Sequence, residues 1–188
     1  KLEINKMASE IPDLNIIISE IKVEGVLDYI GMIPNGAYFS EENLKQCREL
    51  VGHDNKEKDV AILQLETKSL PDKCNIVDMN QAVTNDSEIR VGSHIFTMGF
   101  PFGLSLQDLK SPKGIQLLGR GGSITQECTK YSFGFDAASY GGASGSPIFN
   151  AKGQLIGVLN SGMTNSQGFN YGIKAVHAKE LLEQAQSK

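Results

Sequence analysis

The sequence lacks the features that mark membrane proteins and nucleic-acid-binding proteins. It contains no apolar run approaching the roughly 20 residues that a membrane-spanning helix needs. Its 18 Lys and Arg residues are outnumbered by 22 Asp and Glu residues, which gives a net charge of −4, and the cations do not cluster. Because nucleic acids and anionic membranes attract clustered cations, we expect neither as a partner, and we expect no membrane span.

Cysteine is also scarce in this chain. Its three cysteines, Cys47, Cys74 and Cys128, are odd in number and widely spaced. This arrangement favours free thiols over a disulfide framework or a zinc site, so no bound metal is expected. Free thiols in turn indicate a reducing, intracellular compartment.

The rest of the composition is that of an ordinary globular protein, with 40% hydrophobic and 21% charged residues among 188. Short apolar and β-branched runs are separated by turn residues, which is typical of antiparallel strands. Near the end, Ala178, Leu181, Leu182 and Ala185 recur at helical spacing and predict a C-terminal helix. Strands are expected within 14–32, which holds two, and at 59–66, 91–100, 115–118, 122–125, 131–137, 146–149, 155–159 and 169–175.

Two shorter segments carry their own predictions. Ser40 precedes two glutamates and then Leu44, Cys47 and Val51 at helical spacing, which suggests a short capped helix before the strand at 59–66. The glycine-rich segment GRGG at 119–122 is compatible with an anion-binding nest, but a β-hairpin turn is the favoured interpretation.

The succession of short strands and turns, closed by a helix, predicts an all-β fold of two small antiparallel barrels. We place the first barrel within residues 1–104. The second barrel and the C-terminal helix would then occupy residues 105–188.

One loop carries the chemistry that the chain suggests. The segment GGASGSP at 141–147 places Ser144 among glycines and runs into an apolar strand. A serine hydroxyl is a weak nucleophile, so a hydrolase holds it on a tight turn, near a base and near N–H groups that face the developing oxyanion. Gly142 and Gly145 permit such a turn, although an ordinary β-turn explains this short segment equally well.

Three further stretches extend this pattern. In order, the four stretches are VGHDNKEKDVAIL at 51–63, RVGSHIFTMGFPFG at 90–103, FDAASYGGASGSPIFNAKGQLIGVLNSG at 135–162 and FNYGIKAVHAKELL at 169–182. Together they resemble the trypsin-like serine peptidases of chymotrypsin fold, and among them the HtrA (Deg) protease domain and its bacterial relatives. The resemblance implies two six-stranded barrels and makes the strand at 91–100 the last of the first barrel.

The resemblance also implies a role for individual residues. Ser144 would attack the scissile carbonyl, and Asp59 would orient and support a histidine base. The N–H groups of Gly142 and Ser144 would form the oxyanion hole, and no metal or cofactor takes part. Ala138 would form the floor of the S1 pocket, which accepts the substrate side chain before the cleaved bond. The other S1 residues would be Ser139, Asn160, Ser161, Gly162 and Tyr171.

The expected histidine base is missing from the chain. The family places it a few dozen residues before the aspartate, whereas the three histidines here are His53, His94 and His177. They lie in a polar turn, in a predicted strand and at the start of the terminal helix. Four predicted strands precede Phe102, against six in a complete first barrel, so we expect two strands and the histidine to lie upstream of Lys1.

These observations favour a serine endopeptidase that hydrolyses protein or peptide substrates through an acyl-enzyme. The alternative is an inactive protease-like domain that binds protein or peptide, which the missing histidine supports. A chymotrypsin-fold protease of viral type is less favoured, because many of those use cysteine as the nucleophile.

Overall fold

The computed structural model describes residues 30–53, 55–71, 74–104, 114–163 and 168–187. Within these ranges the fold consists of antiparallel strands and one C-terminal helix, which confirms the all-β prediction. The elements are β1 (Ile30–Met32), β2 (Lys45–Gly52), β3 (Ala61–Leu65), β4 (His94–Gly99), β5 (Leu118–Gln126), β6 (Ser132–Phe135), β7 (Pro147–Asn150), β8 (Leu155–Gly162), β9 (Asn170–Lys174) and α1 (Ala175–Gln186).

Six of these strands close into a barrel in the order β4-β5-β6-β9-β8-β7. The barrel closes where β4 pairs with β7, with Phe96 opposite Phe149. Alternate residues of each strand face inward, and the side chains of Ile124, Phe133 and Ile148 are at most 2% exposed. Burial of these large apolar side chains is the main favourable contribution to the fold.

The remaining strands form a separate antiparallel sheet in the order β1-β2-β3. In β3, Leu63 is 48% exposed, so this strand is not buried on both faces as its apolar run suggested. Of the two strands predicted within 14–32, only the end is described, as β1, and residues 14–29 lie outside the described ranges.

The strand predicted at 91–100 lies in a different unit from the one expected. Instead of ending the first barrel, β4 pairs with β5 and β7 in the closed barrel. Its inward residue Ile95 is 4% exposed and packs in the same core as Ile124 and Ile148. We therefore propose a boundary between the two units that lies between β3 and β4.

The glycine-rich segment at 119–122 is neither a turn nor a nest, because it lies inside β5. A Cβ atom at Gly119 would stand 2.6 Å from Phe96 Cζ, and one at Gly122 would stand 2.5 Å from the Ala137 nitrogen. The missing side chains thus allow β5 to pack closely against its neighbours.

The short helix predicted after Ser40 is also wrong. Its capping signal is present, since the Asn43 N–H donates to Ser40 Oγ at 3.3 Å, but it supports only one turn. β2 begins at Lys45, because pairing with β1 and β3 provides the backbone partners that a helix would otherwise supply.

The helix α1 confirms the C-terminal prediction and contacts both units. It packs against β2 and β3 of the three-stranded sheet and against β8 and β9 of the barrel. Its buried face includes Ala178 and Leu181. No helix in the described ranges is long and apolar enough to cross a membrane.

The barrel core predicts a contrast between two isoleucines. Ile148 is 0% exposed and Ile76 is 76% exposed. Ile148→Ala should lower the free energy of unfolding by about 2–5 kcal/mol, because it removes buried apolar atoms and leaves a cavity. Urea denaturation is the measurement, with Ile76→Ala as the matched control. An equal loss in both variants would contradict this assignment of the core.

Candidate active site

The loop that carries Ser144 joins β6 to β7 and is shaped by two glycines. Gly142 has a φ of +94° and Gly145 a φ of +88°, a region of backbone conformation that side chains disfavour. Within the loop, the Ala143 N–H donates to the Tyr140 carbonyl at 3.0 Å. The sequence signal for a tight turn around Ser144 therefore has a direct geometric cause.

The same loop is hydrogen bonded to β8. The Gly145 N–H donates to the Leu159 carbonyl at 2.7 Å, and the Leu159 N–H donates to the Ser146 carbonyl at 2.8 Å. These two bonds place the next residue of β8, Asn160, beside the loop. The exposed Ser144 hydroxyl donates to the Asn160 carbonyl at 3.0 Å.

Asn160 also contacts the predicted catalytic carboxylate. Asp59 follows a single 3₁₀ turn, Lys56–Lys58, and lies two residues before the start of the strand β3. The Asn160 side-chain nitrogen donates to Asp59 Oδ2 at 2.8 Å. The structure thus brings Ser144 and Asp59 into one site, and Asn160 bonds to both of them.

A cluster of side chains anchors the turn before Asp59 to the helix α1. Lys58 Nζ lies 3.4 Å from Glu180 Oε2 and 5.8 Å from the centre of the Tyr131 ring. His177 Nδ1 donates to the same Glu180 oxygen at 3.1 Å. This hydrogen bond, with help from the Lys58 ammonium, holds the pKa of the Glu180 carboxyl below its ordinary value.

The two N–H groups predicted to form the oxyanion hole have no hydrogen-bond acceptor among the described residues. Neither Gly142 nor Ser144 donates its backbone N–H to any residue that the structure describes. The N–H groups on either side of them, those of Ala143 and Gly145, are both hydrogen bonded within the protein. Two free donors beside a serine hydroxyl are the arrangement that a developing oxyanion requires.

The residues assigned to the S1 pocket fall into two groups. Asn160, Ser161 and Tyr171 line one cavity of about 620 Å³, together with residues of the turn at 129–132. Ala138, which is exposed, and Ser139, which is half-buried, precede the Ser144 loop, and Gly162 ends β8.

Sequence reasoning missed Asn170, which is hydrogen bonded to the residue before the expected pocket floor, Ala138. The buried Asn170 side chain donates to the Ala137 carbonyl at 2.8 Å. A Cβ atom on Gly162 would collide with Asn170 Oδ1, so the two residues are in close contact. Successive side chains of a strand point to opposite faces, so Asn170 and Tyr171 occupy opposite sides of β9. The signal in the sequence that could have identified Asn170 was a polar residue inside the predicted strand at 169–175.

The structure describes all three histidines, and none of them is hydrogen bonded to Ser144 or Asp59. The rings of His53 and His177 lie 6.3 Å apart in an edge-to-face arrangement. The Nε2 atoms of both rings are buried without a partner in the described part of the chain. His94 is exposed at the start of β4.

The chain is similar in sequence to known proteins. A family model described as "Trypsin-like peptidase domain" matches residues 31–158. A "Probable periplasmic serine endoprotease DegP-like" from Pseudomonas putida (strain GB-1) is 35% identical over 122 residues, which are 64% of this chain and 23% of that protein. The protein of the same name from Ectopseudomonas mendocina is 30% identical over 139 residues, 72% of this chain and 27% of that protein. The chain thus spans about a quarter of the length of these relatives.

Two solved structures share the fold. The serine endoprotease from Yersinia pestis superposes with a TM-score of 0.55 at 18% identity, covering 77% of this chain and 46% of that chain. The "HtrA-type protease AlgW with decapeptide" gives a TM-score of 0.53 at 24% identity, covering 78% of this chain and 42% of that chain. These likenesses support the chymotrypsin-like fold.

The expectation of a reducing, intracellular compartment is wrong, because the relatives are named periplasmic endoproteases. The cysteines are free in the structure, but a free thiol does not require a reducing environment. Burial raises the pKa of the Cys128 thiol, which disfavours the reactive thiolate. The cysteine count therefore carried less information about the compartment than we assigned to it.

The cluster beside Asp59 predicts a pH-dependent contribution to stability. Because the pKa of Glu180 is lowered on folding, its contribution is fully present above pH ~5 and is lost as the pH falls through that lowered value. Glu180 is half exposed, so Glu180→Gln should destabilise by at most about 1 kcal/mol at neutral pH and by nothing in acid. Denaturation across pH, with Glu183→Gln as control, measures this difference. A loss that persists in acid would contradict the ionic origin.

Proposed function

This chain belongs to the trypsin-like peptidase family, and we propose that it supplies the nucleophile, the aspartate and the substrate-binding surface of a serine endopeptidase. The observation that carries this proposal is the pair of hydrogen bonds through Asn160, which joins Ser144 to Asp59 beside two N–H groups that no described residue accepts. An ordinary turn between strands has no need of this arrangement.

In the proposed mechanism, Ser144 Oγ attacks the carbonyl carbon of a peptide bond. The hydroxyl proton passes to a histidine base, and the carbonyl oxygen gains the negative charge of the tetrahedral intermediate. The N–H groups of Gly142 and Ser144 would stabilise that charge. Collapse of the intermediate expels the amine, which takes the proton from the histidine, and leaves an acyl group on Ser144. Water then hydrolyses this ester.

We propose that the base is a histidine of the same protein that lies outside these 188 residues. None of the chain's own histidines reaches Ser144, and the Asp59 carboxylate is exposed, so a ring can approach it. Asp59 would accept a hydrogen bond from that ring and hold its other nitrogen toward Ser144. Asn160 would fix Asp59 in position through its 2.8 Å hydrogen bond.

We further propose a protein or peptide substrate and a periplasmic site of action. Both follow the printed names of the relatives, which are periplasmic endoproteases. The free cysteines do not oppose this location, since partial burial raises the pKa of the Cys128 thiol and so disfavours its reactive thiolate.

The proposed S1 pocket has Ala138 as its floor and β8 as one wall, at Ser161 and Gly162. No carboxylate stands at this floor in the sequence, so a basic substrate side chain would be buried without a counter-charge. Asn170 adds a neutral amide behind the floor, where its nitrogen is engaged by the Ala137 carbonyl. The pocket therefore favours small or medium apolar side chains.

A covalent probe tests the proposed nucleophile. The full-length protein should react with a fluorophosphonate, because that reaction requires an activated serine and an oxyanion hole. Mass spectrometry should locate the adduct on Ser144. Ser144→Ala should abolish labelling, whereas Ser87→Ala, at an exposed serine outside the proposed site, should retain it. An adduct that survives Ser144→Ala would refute the assignment, and absence of labelling in the parent would favour an inactive binding domain.

Cleavage-site profiling on a peptide library tests the proposed pocket. The full-length protein should prefer Val, Ala or Leu before the cleaved bond, since burial of such a side chain contributes about 1–3 kcal/mol. Ala138→Asp should shift the preference toward Arg and Lys by supplying the missing carboxylate. A dominant Arg or Lys preference in the parent would show that the floor lies elsewhere.

A further inference from the structure

The turn after β4 contains a strained residue next to the proposed oxyanion hole. Phe102 has a φ of +70°. Among the non-glycine residues that the structure describes, Lys68, at +54°, is the only other one with a positive φ. A bulky side chain disfavours this conformation, so the surrounding structure must maintain it. The Gly103 N–H closes the turn by donating to the Phe100 carbonyl at 2.9 Å.

The strained conformation places the Phe102 N–H on the Ser144 loop. That N–H donates to the Gly141 carbonyl at 2.7 Å. The Gly141–Gly142 peptide is trans, as are all the peptide bonds of the described residues, so its carbonyl and its N–H point in opposite directions. Fixing the Gly141 carbonyl toward Phe102 therefore directs the Gly142 N–H away from the turn, where no described residue accepts it.

Side-chain packing holds the same two segments together. The rings of Phe102 and Tyr140 are stacked, with centroids 4.7 Å apart and planes at 28°. Gly142 also packs so closely on the backbone of the turn that a Cβ atom would stand 2.8 Å from the Gly103 nitrogen and 3.0 Å from the Phe100 carbonyl oxygen. The turn and the Ser144 loop are therefore in direct contact through both backbone and side chains.

We infer that Phe102 and Tyr140 are positioning residues that hold the Gly142 N–H in the orientation an oxyanion needs. The stacked rings maintain the left-handed Phe102 backbone, and that backbone holds the Gly141 carbonyl. Without the stack, Phe102 relaxes to a negative φ, the Gly141 carbonyl loses its donor, and the Gly141–Gly142 peptide is free to rotate. This inference rests on the proposed function, because it assigns a role in the oxyanion hole.

The Phe102→Gly variant separates this role from a simple packing role. Phe102→Ala removes the ring but leaves a residue that still disfavours a positive φ. Phe102→Gly removes the ring and that conformational penalty together. If the backbone bond is what matters, the glycine variant retains function and the alanine variant loses it. If the ring acts by packing or by touching substrate, the two variants are equally impaired, or glycine is worse.

Steady-state kinetics of the full-length protein on a peptide substrate is the first measurement. Phe102→Ala and Tyr140→Ala should lower kcat by at least ~10-fold, with the ~10²–10³ known for loss of one oxyanion donor as the limit, and should leave KM unchanged. Phe102→Gly should stay within ~3-fold of the parent, and it should suppress the effect of Tyr140→Ala in the double variant. Lys68→Gly, which relieves a positive φ in the turn after β3, is the control and should leave kcat unchanged.

Hydrogen exchange of the residue-102 amide, followed by NMR, is the second measurement and does not depend on activity. Exchange should be slow in the parent and in Phe102→Gly, and faster in Phe102→Ala and Tyr140→Ala. A parent without Ser144-dependent turnover would refute the proposed function, and the exchange pattern would then decide the positioning role alone. Equal exchange in all variants, equal kcat losses in the alanine and glycine variants, or changes confined to KM would overturn the inference.

Discussion

The hydrogen bonds of Asn160 are the constraint on which the site depends, because they join residues that come from different sheets. Asp59 precedes β3 of the three-stranded sheet, and Ser144 lies on a loop of the closed barrel. The carbonyl and the side chain of Asn160 reach one partner each, at 3.0 and 2.8 Å. The spacing of the catalytic groups therefore follows from how the sheet and the barrel meet, and α1, which packs against both, fixes that relation.

Features set by local chemistry were predictable from the sequence. Gly142 and Gly145 indicated a tight turn because few other residues tolerate a positive φ, and both have one. The helix α1 followed from its apolar periodicity, and most strands followed from β-branched runs between turn residues. The family resemblance then placed Asp59 near Ser144, although 85 residues separate them in the chain (144 − 59 = 85). Such local and motif-based signals do not depend on long-range pairing.

Features set by pairing between distant strands were not predictable. The strand β4 has the same local character in either barrel, and only its pairing with β5 and β7 assigns it to the second. On β9, a shift of one residue exchanges the faces of the strand, so only the pairing register shows that Asn170 is hydrogen bonded beside the expected pocket floor while Tyr171 lies on the opposite face. The sequence suggested Asn160 only as part of the pocket wall. Its hydrogen bonds to Ser144 and Asp59 were not predictable, because these partners come from other elements.

The strain at Phe102 shows a further limit of sequence reasoning. Propensity rules assign no left-handed backbone to phenylalanine, so nothing in the sequence around Phe102 indicates a φ of +70°. Local rules fail most often at functional sites, where the surrounding structure maintains a conformation that the residue would not adopt alone. Here the surrounding structure is the Tyr140 ring and the Gly141 carbonyl, both within four residues of Ser144 in the chain. The strained residue and the loop of the nucleophile are therefore joined by a hydrogen bond and a ring stack, even though they come from separate segments of the sequence.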